Sequence, residues 1–218
     1  MRLVRTLACL AAVTATPAFA ADTIDFNRLH NASGGYTYVY GPYVEDGYTL
    51  TAAACQPSSF GNSCFVTPQS FQSIDPAGAS IITQYASQTS TLTRSDGGLF
   101  SVSSIDAAKY FDYGTYGSTA DLLLSYVFAD GTRASETRTI NTVGRYPVNT
   151  LQLNTGPLRS FSFLPTTGSS GSLQFDNIVV NGVSAVPEPA SWAMMMLGLG
   201  VLGAGARYRR RNTGVAFA

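Results

Sequence analysis

Asp121-Leu-Leu-Leu-Ser-Tyr-Val-Phe128, then Ala129-Asp-Gly131, then residues 132–140 is the stretch from which the fold is read. Two runs suited to extended backbone flank an Asp-Gly pair. Asp and Gly tolerate the positive φ of a tight reversal, so the pattern predicts a β-hairpin. Outward from it, short strand signals recur. Residues 23–27, 36–40, 47–51 (behind a Glu45-Asp46-Gly47 turn), 81–83, 91–93 and 99–102 precede the hairpin. Residues 148–153, 159–164 and 172–180 follow it. The middle of the chain carries no helical apolar period and no internal repeat. Short strands separated by Gly and Asn turns predict an all-β fold, a jelly-roll-like β-sandwich.

Charge narrows the function classes. Thirteen basic residues balance thirteen acidic ones, but six of the basic residues lie in the two ends. Residues 21–186 keep seven basic side chains against twelve acidic ones. Such a domain lacks the clustered Lys and Arg that phosphate backbones require, so no nucleic-acid partner is expected. Only 12% of the chain is charged, and Ser, Thr, Gly, Asn and Tyr fill the difference.

Both ends read as targeting segments. Arg2 and Arg5, a short apolar run and Ala18-Phe-Ala20 form a secretory signal peptide over residues 1–20, with cleavage after Ala20. An extracellular β-sandwich domain is expected over 21–183, and a sorting tail over 184–218. The tail reads Pro187-Glu188-Pro189, an uncharged stretch over about 190–206, then Arg207-Tyr-Arg209-Arg210-Arg211. Seventeen uncharged residues sit at the short limit of a spanning helix, and the arginines would remain on the cytoplasmic side. Cys55 and Cys64 fit a disulfide in an oxidising compartment.

In order and position, Pro187-Glu188-Pro189, the Gly-rich span and the arginine cluster resemble the PEP-CTERM sorting signal, also catalogued as the ice-binding protein C-terminal domain. The resemblance implies recognition by an exosortase, transient anchoring in the inner membrane, and delivery to the cell surface or matrix alongside exopolysaccharide or biofilm. The residues after Arg211 depart from the usual pattern. Ile24-Asp-Phe26, residues 97–106 and Gln174-Phe-Asp-Asn-Ile-Val-Val180 loosely resemble jelly-roll, galactose-binding-like modules. That resemblance implies a possible structural Ca²⁺ between first and last strands, with oxygens from Asp25, Asn27, Asp176 and Asn177.

The expected function is a non-catalytic exported surface or matrix protein, with a carbohydrate-binding module as alternative and a glycoside hydrolase as a second. No catalytic residue is assigned. His30 stands alone in a polar loop, no nucleophile elbow is present, and the disulfide would consume the mature cysteines. A hydrolase needs two facing carboxylates. Glu45 and Asp46 are neighbours that would point to opposite sides, and Asp46 reads as turn. Tyrosine is the better binding chemistry, because it offers an apolar face and a polar tip to a sugar ring. Tyr36, Tyr38 and Tyr40 would share one face of a strand, which reads first as packing surface. Tyr110, Tyr113 and Tyr116, interleaved with glycines, read as an exposed loop and are the preferred glycan contacts.

Overall fold

The computed structural model describes residues 21–53, 55, 63–83, 88–110, 119–143, 147–166, 173–182, 195–196, 198–200, 202–203 and 207. The predicted signal peptide, Tyr113, Tyr116, the Pro187-Glu188-Pro189 triplet and Arg209 to Arg211 lie outside them. The chain divides into two units, Met1–Val183 and Ser184–Ala218.

Among the described residues of the first unit, regular structure is almost entirely extended. The strands are β1 (Ala21–Ile24), β2 (Thr37–Val39), β3 (Tyr43–Glu45), β4 (Tyr48–Ala52), β5 (Phe65–Thr67), β6 (Ile81–Thr83) and β7 (Ser90–Arg94). They continue as β8 (Phe100–Lys109), β9 (Thr119–Phe128), β10 (Arg133–Asn141), β11 (Asn149–Gln152), β12 (Leu158–Pro165) and β13 (Leu173–Gly182). Two three-residue 3₁₀ turns, Asn27–Leu29 and Ser70–Gln72, are the helical exceptions in this unit. The chain is therefore all-β, as its turn-punctuated sequence predicts.

The predicted hairpin is β9–β10, paired antiparallel from Arg133↔Val127 to Asn141↔Thr119. Gly131 has φ 87°, and its N–H donates to Phe128 O. The second turn, Asp46 and Gly47, has φ 46° and 81° and joins β3 to β4. Glycine and aspartate carry this left-handed backbone with little steric cost.

Pairing builds two layers. One runs β10-β9-β12-β7-β4-β3. The other runs β11-β8-β13, and the far edge of β13 takes β6 and then β1. Beyond β6 lie β5 and β2. A single cross-strand pair, Leu158↔Phe100, joins the layers through backbone bonds. Side chains do the rest. In β9, Ala120, Leu122, Leu124 and Tyr126 are buried at every second position. Rings from opposite layers meet, with Phe163 of β12 against Phe175 of β13 at 4.6 Å and Tyr48 of β4 edge-on to Phe100 of β8 at 5.6 Å. The inward faces thus form one core, the geometry of an antiparallel sandwich.

Cys55 and Cys64 form the expected disulfide, with Cα atoms 4.3 Å apart.

Candidate functional site

The tyrosines divide into two groups. Tyr110, expected on an exposed ligand loop, is buried at the end of β8. It packs with Val66, Ile82 and Tyr38 in a small second core. The loop reading of Tyr110 is therefore corrected. The outer face of β5 and β6 is apolar at Val66 and Ile82, and the Tyr110 ring covers it. Its hydroxyl donates to Tyr36 Oη at 3.3 Å. Of the three tyrosines in and beside β2, Tyr36 and Tyr38 meet. The rings of Tyr36 and Tyr38 stand 6.2 Å apart, tilted by 43°. Tyr40 is 63% exposed and Phe71, across the 3₁₀ turn, is 61% exposed. Tyr36 donates to Gln72 Oε1 at 3.5 Å, which links the ladder to that turn. Burial raises the Tyr38 hydroxyl pKa, and Tyr36 and Tyr40 add to the effect, so the Tyr38 phenol stays a neutral donor.

The residues singled out for calcium lie around β13, but not as one set. Along one edge β13 changes partner. Gln174 and Phe175 face Ile82 and Ile81 of β6, whereas Ile178 to Asn181 face β1. Residues 176 and 177 fall in the break between those partners. Phe175 points into the core, so Gln174 and Asp176 point to the opposite face. Both are nonetheless buried, at 0% and 1% exposure. Gln174 is tied to the 72–80 loop by hydrogen bonds. Its Oε1 accepts from Ile74 N at 2.9 Å and Ser80 Oγ at 2.7 Å, and its Nε2 donates to Gln72 O at 3.0 Å and Lys109 O at 2.9 Å.

Asp176 has no such complement. Its Oδ1 accepts from Asn177 N at 2.8 Å, and no described donor reaches Oδ2. Burial pushes its carboxyl up to about 8, and the charges of Asp75, Asp106 and Asp25 add to that, partly offset by the Asn177 N–H. Asp106 is opposite Asp176 in the β8 ladder, yet its own oxygens are occupied. Thr150 Oγ1 donates to Oδ1 at 2.6 Å, and Asn177 Nδ2 donates to Oδ2 at 3.1 Å. Asn177 is exposed, with φ 44°, and its amide is spent on Asp106.

The opposing wall is the 75–78 loop. Asp75 Oδ1 accepts from Ala77 N and Gly78 N at 3.1 and 2.9 Å. Asn27 Oδ1 accepts from Ala79 N at 2.9 Å, and Asp25 Oδ1 accepts from Asn27 N at 3.0 Å. The ring Nδ1–H of His30 donates to Gly78 O at 2.5 Å. A Cβ on Gly78 would stand 1.7 Å from Asn27 Oδ1 and 2.3 Å from Asp75 Oδ2. Asp75 was invisible as a candidate, since Asp75-Pro-Ala-Gly78 reads as an ordinary turn. Among the described residues no three carboxylate, histidine or cysteine groups form a metal cluster by themselves.

The carboxylates considered for hydrolysis have other work. Glu45, 3% exposed, accepts from Phe26 N at 3.0 Å through Oε2. Phe26 has φ 56°, so Glu45 holds a left-handed residue at the end of β1. Its Oε1 lies 3.7 Å from Arg28 Nε. Burial raises the Glu45 carboxyl pKa, opposed by the Phe26 N–H. Glu136 accepts from Tyr126 Oη at 2.7 Å and pairs with Arg138 at 2.9 Å.

In the second unit, residues 195–196, 198–200, 202–203 and 207 are helical. Met195, Met196, Leu199 and Leu202 are 50 to 72% exposed. Among the described residues no helix is long and apolar enough to cross a membrane.

Residues 185–211 match the PEP-CTERM protein-sorting motif. No curated protein matches the chain. Among solved structures, the chain is similar to a CBM29-2 mutant complexed with mannohexaose, at 16% identity and TM-score 0.35, over 67% of this chain and 89% of that one. It is also similar to a carbohydrate binding module of family 29, at 15% identity and TM-score 0.35, over 67% and 86% of the two chains.

Proposed function

We propose that this chain is an exported, non-catalytic surface or matrix protein that an exosortase processes near Pro187-Glu188-Pro189, and that its sandwich associates with exopolysaccharide. The observation that carries the reading is the PEP-CTERM motif over residues 185–211 behind a disulfide-bonded all-β unit. In this reading the uncharged stretch over about 190–206 is a transient inner-membrane stop. Arg207, Arg209, Arg210 and Arg211 hold it from the cytoplasmic side, and cleavage releases the sandwich to the surface. The roles assigned to Glu45 and Glu136 support a binding protein over a hydrolase, because each carboxylate is engaged in a structural contact.

The test is to locate the protein in its host with and without the exosortase, and to determine the mature C-terminus by mass spectrometry. The reading expects a terminus near residues 187–189 and membrane retention of the unprocessed chain when the enzyme is missing. A mature protein that keeps Arg207 to Arg211 sinks it.

The polysaccharide part rests on the Tyr36–Tyr38 ring pair and on the exposed rings of Tyr40 and Phe71. Sugar C–H faces pack on such rings while neutral phenols donate to hydroxyls. Tyr113 and Tyr116 are retained as further contacts. Tyr36→Ala with Tyr40→Ala is expected to weaken sedimentation with host exopolysaccharide. Unchanged sedimentation assigns the β2 face to packing alone.

A further inference from the structure

The layer that runs from β10 to β3 ends on two unlike edges. β3 is three residues long. β10 is nine residues long, and seven of them are exposed. Among the described strands β10 pairs with β9 alone, in a register that runs from Arg133 to Asn141 without a bulge. Edge strands are ordinarily blunted by brevity, proline, lysine or a bulge. β10 has none of these.

The ladder fixes which main-chain groups face outward. Phe128 N donates to Thr132 O at 2.9 Å, so residues 128 and 132 form a hydrogen-bonded pair. Such pairs recur at every second position of an antiparallel ladder. Ala134, Glu136, Arg138 and Ile140 therefore bond to β9. Arg133, Ser135, Thr137, Thr139 and Asn141 direct their N–H and C=O away from it. Asn149 agrees with that assignment by capping the last of them. Its Oδ1 accepts from Asn141 N at 3.0 Å, and its Nδ2 donates to Asn141 O at 3.0 Å. The outward main-chain groups of Ser135, Thr137 and Thr139 meet no described partner. Such a row is a template for another strand.

The charges of β10 select which strand. Glu136 and Arg138 share one face and pair with each other at 2.9 Å. Align two copies of β10 antiparallel about Thr137. The outward groups then meet, with Thr137 opposite Thr137 and Ser135 opposite Thr139 in hydrogen-bonded pairs. Between them Glu136 stands opposite the partner's Arg138, and Arg138 opposite the partner's Glu136. These are non-hydrogen-bonded pairs, whose Cα atoms approach to about 4.5 Å. The neighbouring registers that still match the outward groups are centred on residues 136 and 138. One sets Glu136 against Glu136, the other Arg138 against Arg138, and like charges directly opposite are destabilising. Ser–Thr and Thr–Thr pairs on the other face add support. We propose that β10 pairs with β10 of a second copy of this chain, antiparallel about Thr137, so that one sheet runs through both copies. The contact is two-fold and consumes both open edges, so it closes at the dimer. It depends on neither the sorting nor the polysaccharide reading.

The experiment is sedimentation equilibrium of the full-length chain in mild detergent, over a concentration series. The wild-type mass should rise to twice that of the monomer and stop. Thr137→Pro removes an outward N–H and no bond to β9, and proline is accepted on such an edge. It should keep the wild-type circular dichroism and weaken the dimer by about tenfold or more. Glu136→Arg and Arg138→Glu each set like charges in both cross-copy pairs, and each should weaken the dimer by about tenfold or more. An equimolar mixture of those two variants restores opposite charges in both pairs, so it should form a mixed dimer at concentrations where neither variant dimerises alone. These charge variants stand independently of any disturbance that proline brings to the strand. A wild-type chain that stays monomeric at its highest soluble concentration overturns the proposal. A dimer that Thr137→Pro leaves intact overturns it too, and assigns association to another surface. A mixture that fails to pair overturns the register.

Discussion

Replacing Gln174 by leucine tests how the outer face of β13 is held. Leucine nearly matches glutamine in volume and suits a buried site, so packing is largely conserved. Four polar groups lose their partner, namely Ile74 N, Ser80 Oγ, Gln72 O and Lys109 O. At about 1 kcal/mol for each net hydrogen bond, the expected loss is about 4 kcal/mol. A domain of this size is stable by only about 5–15 kcal/mol, so the loss is a large share. It should lower Tm by about 10 °C, at 2–4 °C per kcal/mol. Urea unfolding should show the fall in midpoint at unchanged m-value. Gln174→Glu sharpens the test. A carboxylate offers no donor to Gln72 O and Lys109 O, and burial would hold its folded pKa above the unfolded value near 4.3. Its extra penalty is therefore absent at low pH and grows as pH rises through the interval between the two pKa values. A loss below about 1 kcal/mol for Gln174→Leu would refute the idea that these four bonds seat the loop.

Three further outcomes follow from the geometry. Reducing Cys55–Cys64, or converting both to serine, should destabilise the first unit by roughly 2–3 kcal/mol, read as the Tm difference with and without dithiothreitol. Gly78→Ala would drive a methyl into Asn27 Oδ1 and Asp75 Oδ2, costing about 1–3 kcal/mol by thermal unfolding. Glu45 has a folded pKa above its unfolded one, so its ionisation opposes folding. That penalty is absent below the unfolded carboxyl range and grows as pH rises toward the folded value. Glu45→Gln should remove this slope from a Tm-against-pH series while keeping an acceptor for Phe26 N.

The parts of the fold that a reader of the sequence finds are those with local causes. The β9–β10 hairpin carries its own turn chemistry at Asp130-Gly131 and an alternation that buries Leu122, Leu124 and Tyr126. β3 and β5 escape notice because neither alternates hydrophobic with polar residues. β3 ends on Glu45, buried only because the distant Phe26 N–H needs an acceptor. All three residues of β5 are buried, between the main core and the small cluster that Tyr110 covers. β8 looks four residues long and is ten, since buried Ser104 and Ile105 are consecutive and break the period. Tyr110 illustrates the limit for sites. Glycine-rich, tyrosine-rich chain looks exposed until a second apolar surface, on the outer side of β5 and β6, is seen to need a cover. Asp75 and Asp176 are a hundred residues apart in the chain, and only the folded loop makes them neighbours.

A sandwich with so few charged residues fastens its loops by other means, and the region from 68 to 80 shows the principle. It contains no strand, yet it lies over the outer face of β13. Ladder bonds cannot hold it, because both edges of β13 are already taken by β8 on one side and β6 and β1 on the other. Side chains therefore do so from beneath and from the side. Gln174 binds its middle, Ser73 Oγ and Ser80 Oγ meet at 3.0 Å under it, and Asn27 and His30 grip Ala79 N and Gly78 O. Gln174, Ser73, Ser80 and Asn27 are neutral groups with matched donors and acceptors, whose burial costs far less than that of ions. Asp176 breaks that pattern in the same layer. Its Oδ1 takes only the Asn177 N–H, at 2.8 Å, and burial raises its carboxyl to about 8, so its ionisation opposes folding where that of its neutral neighbours cannot arise.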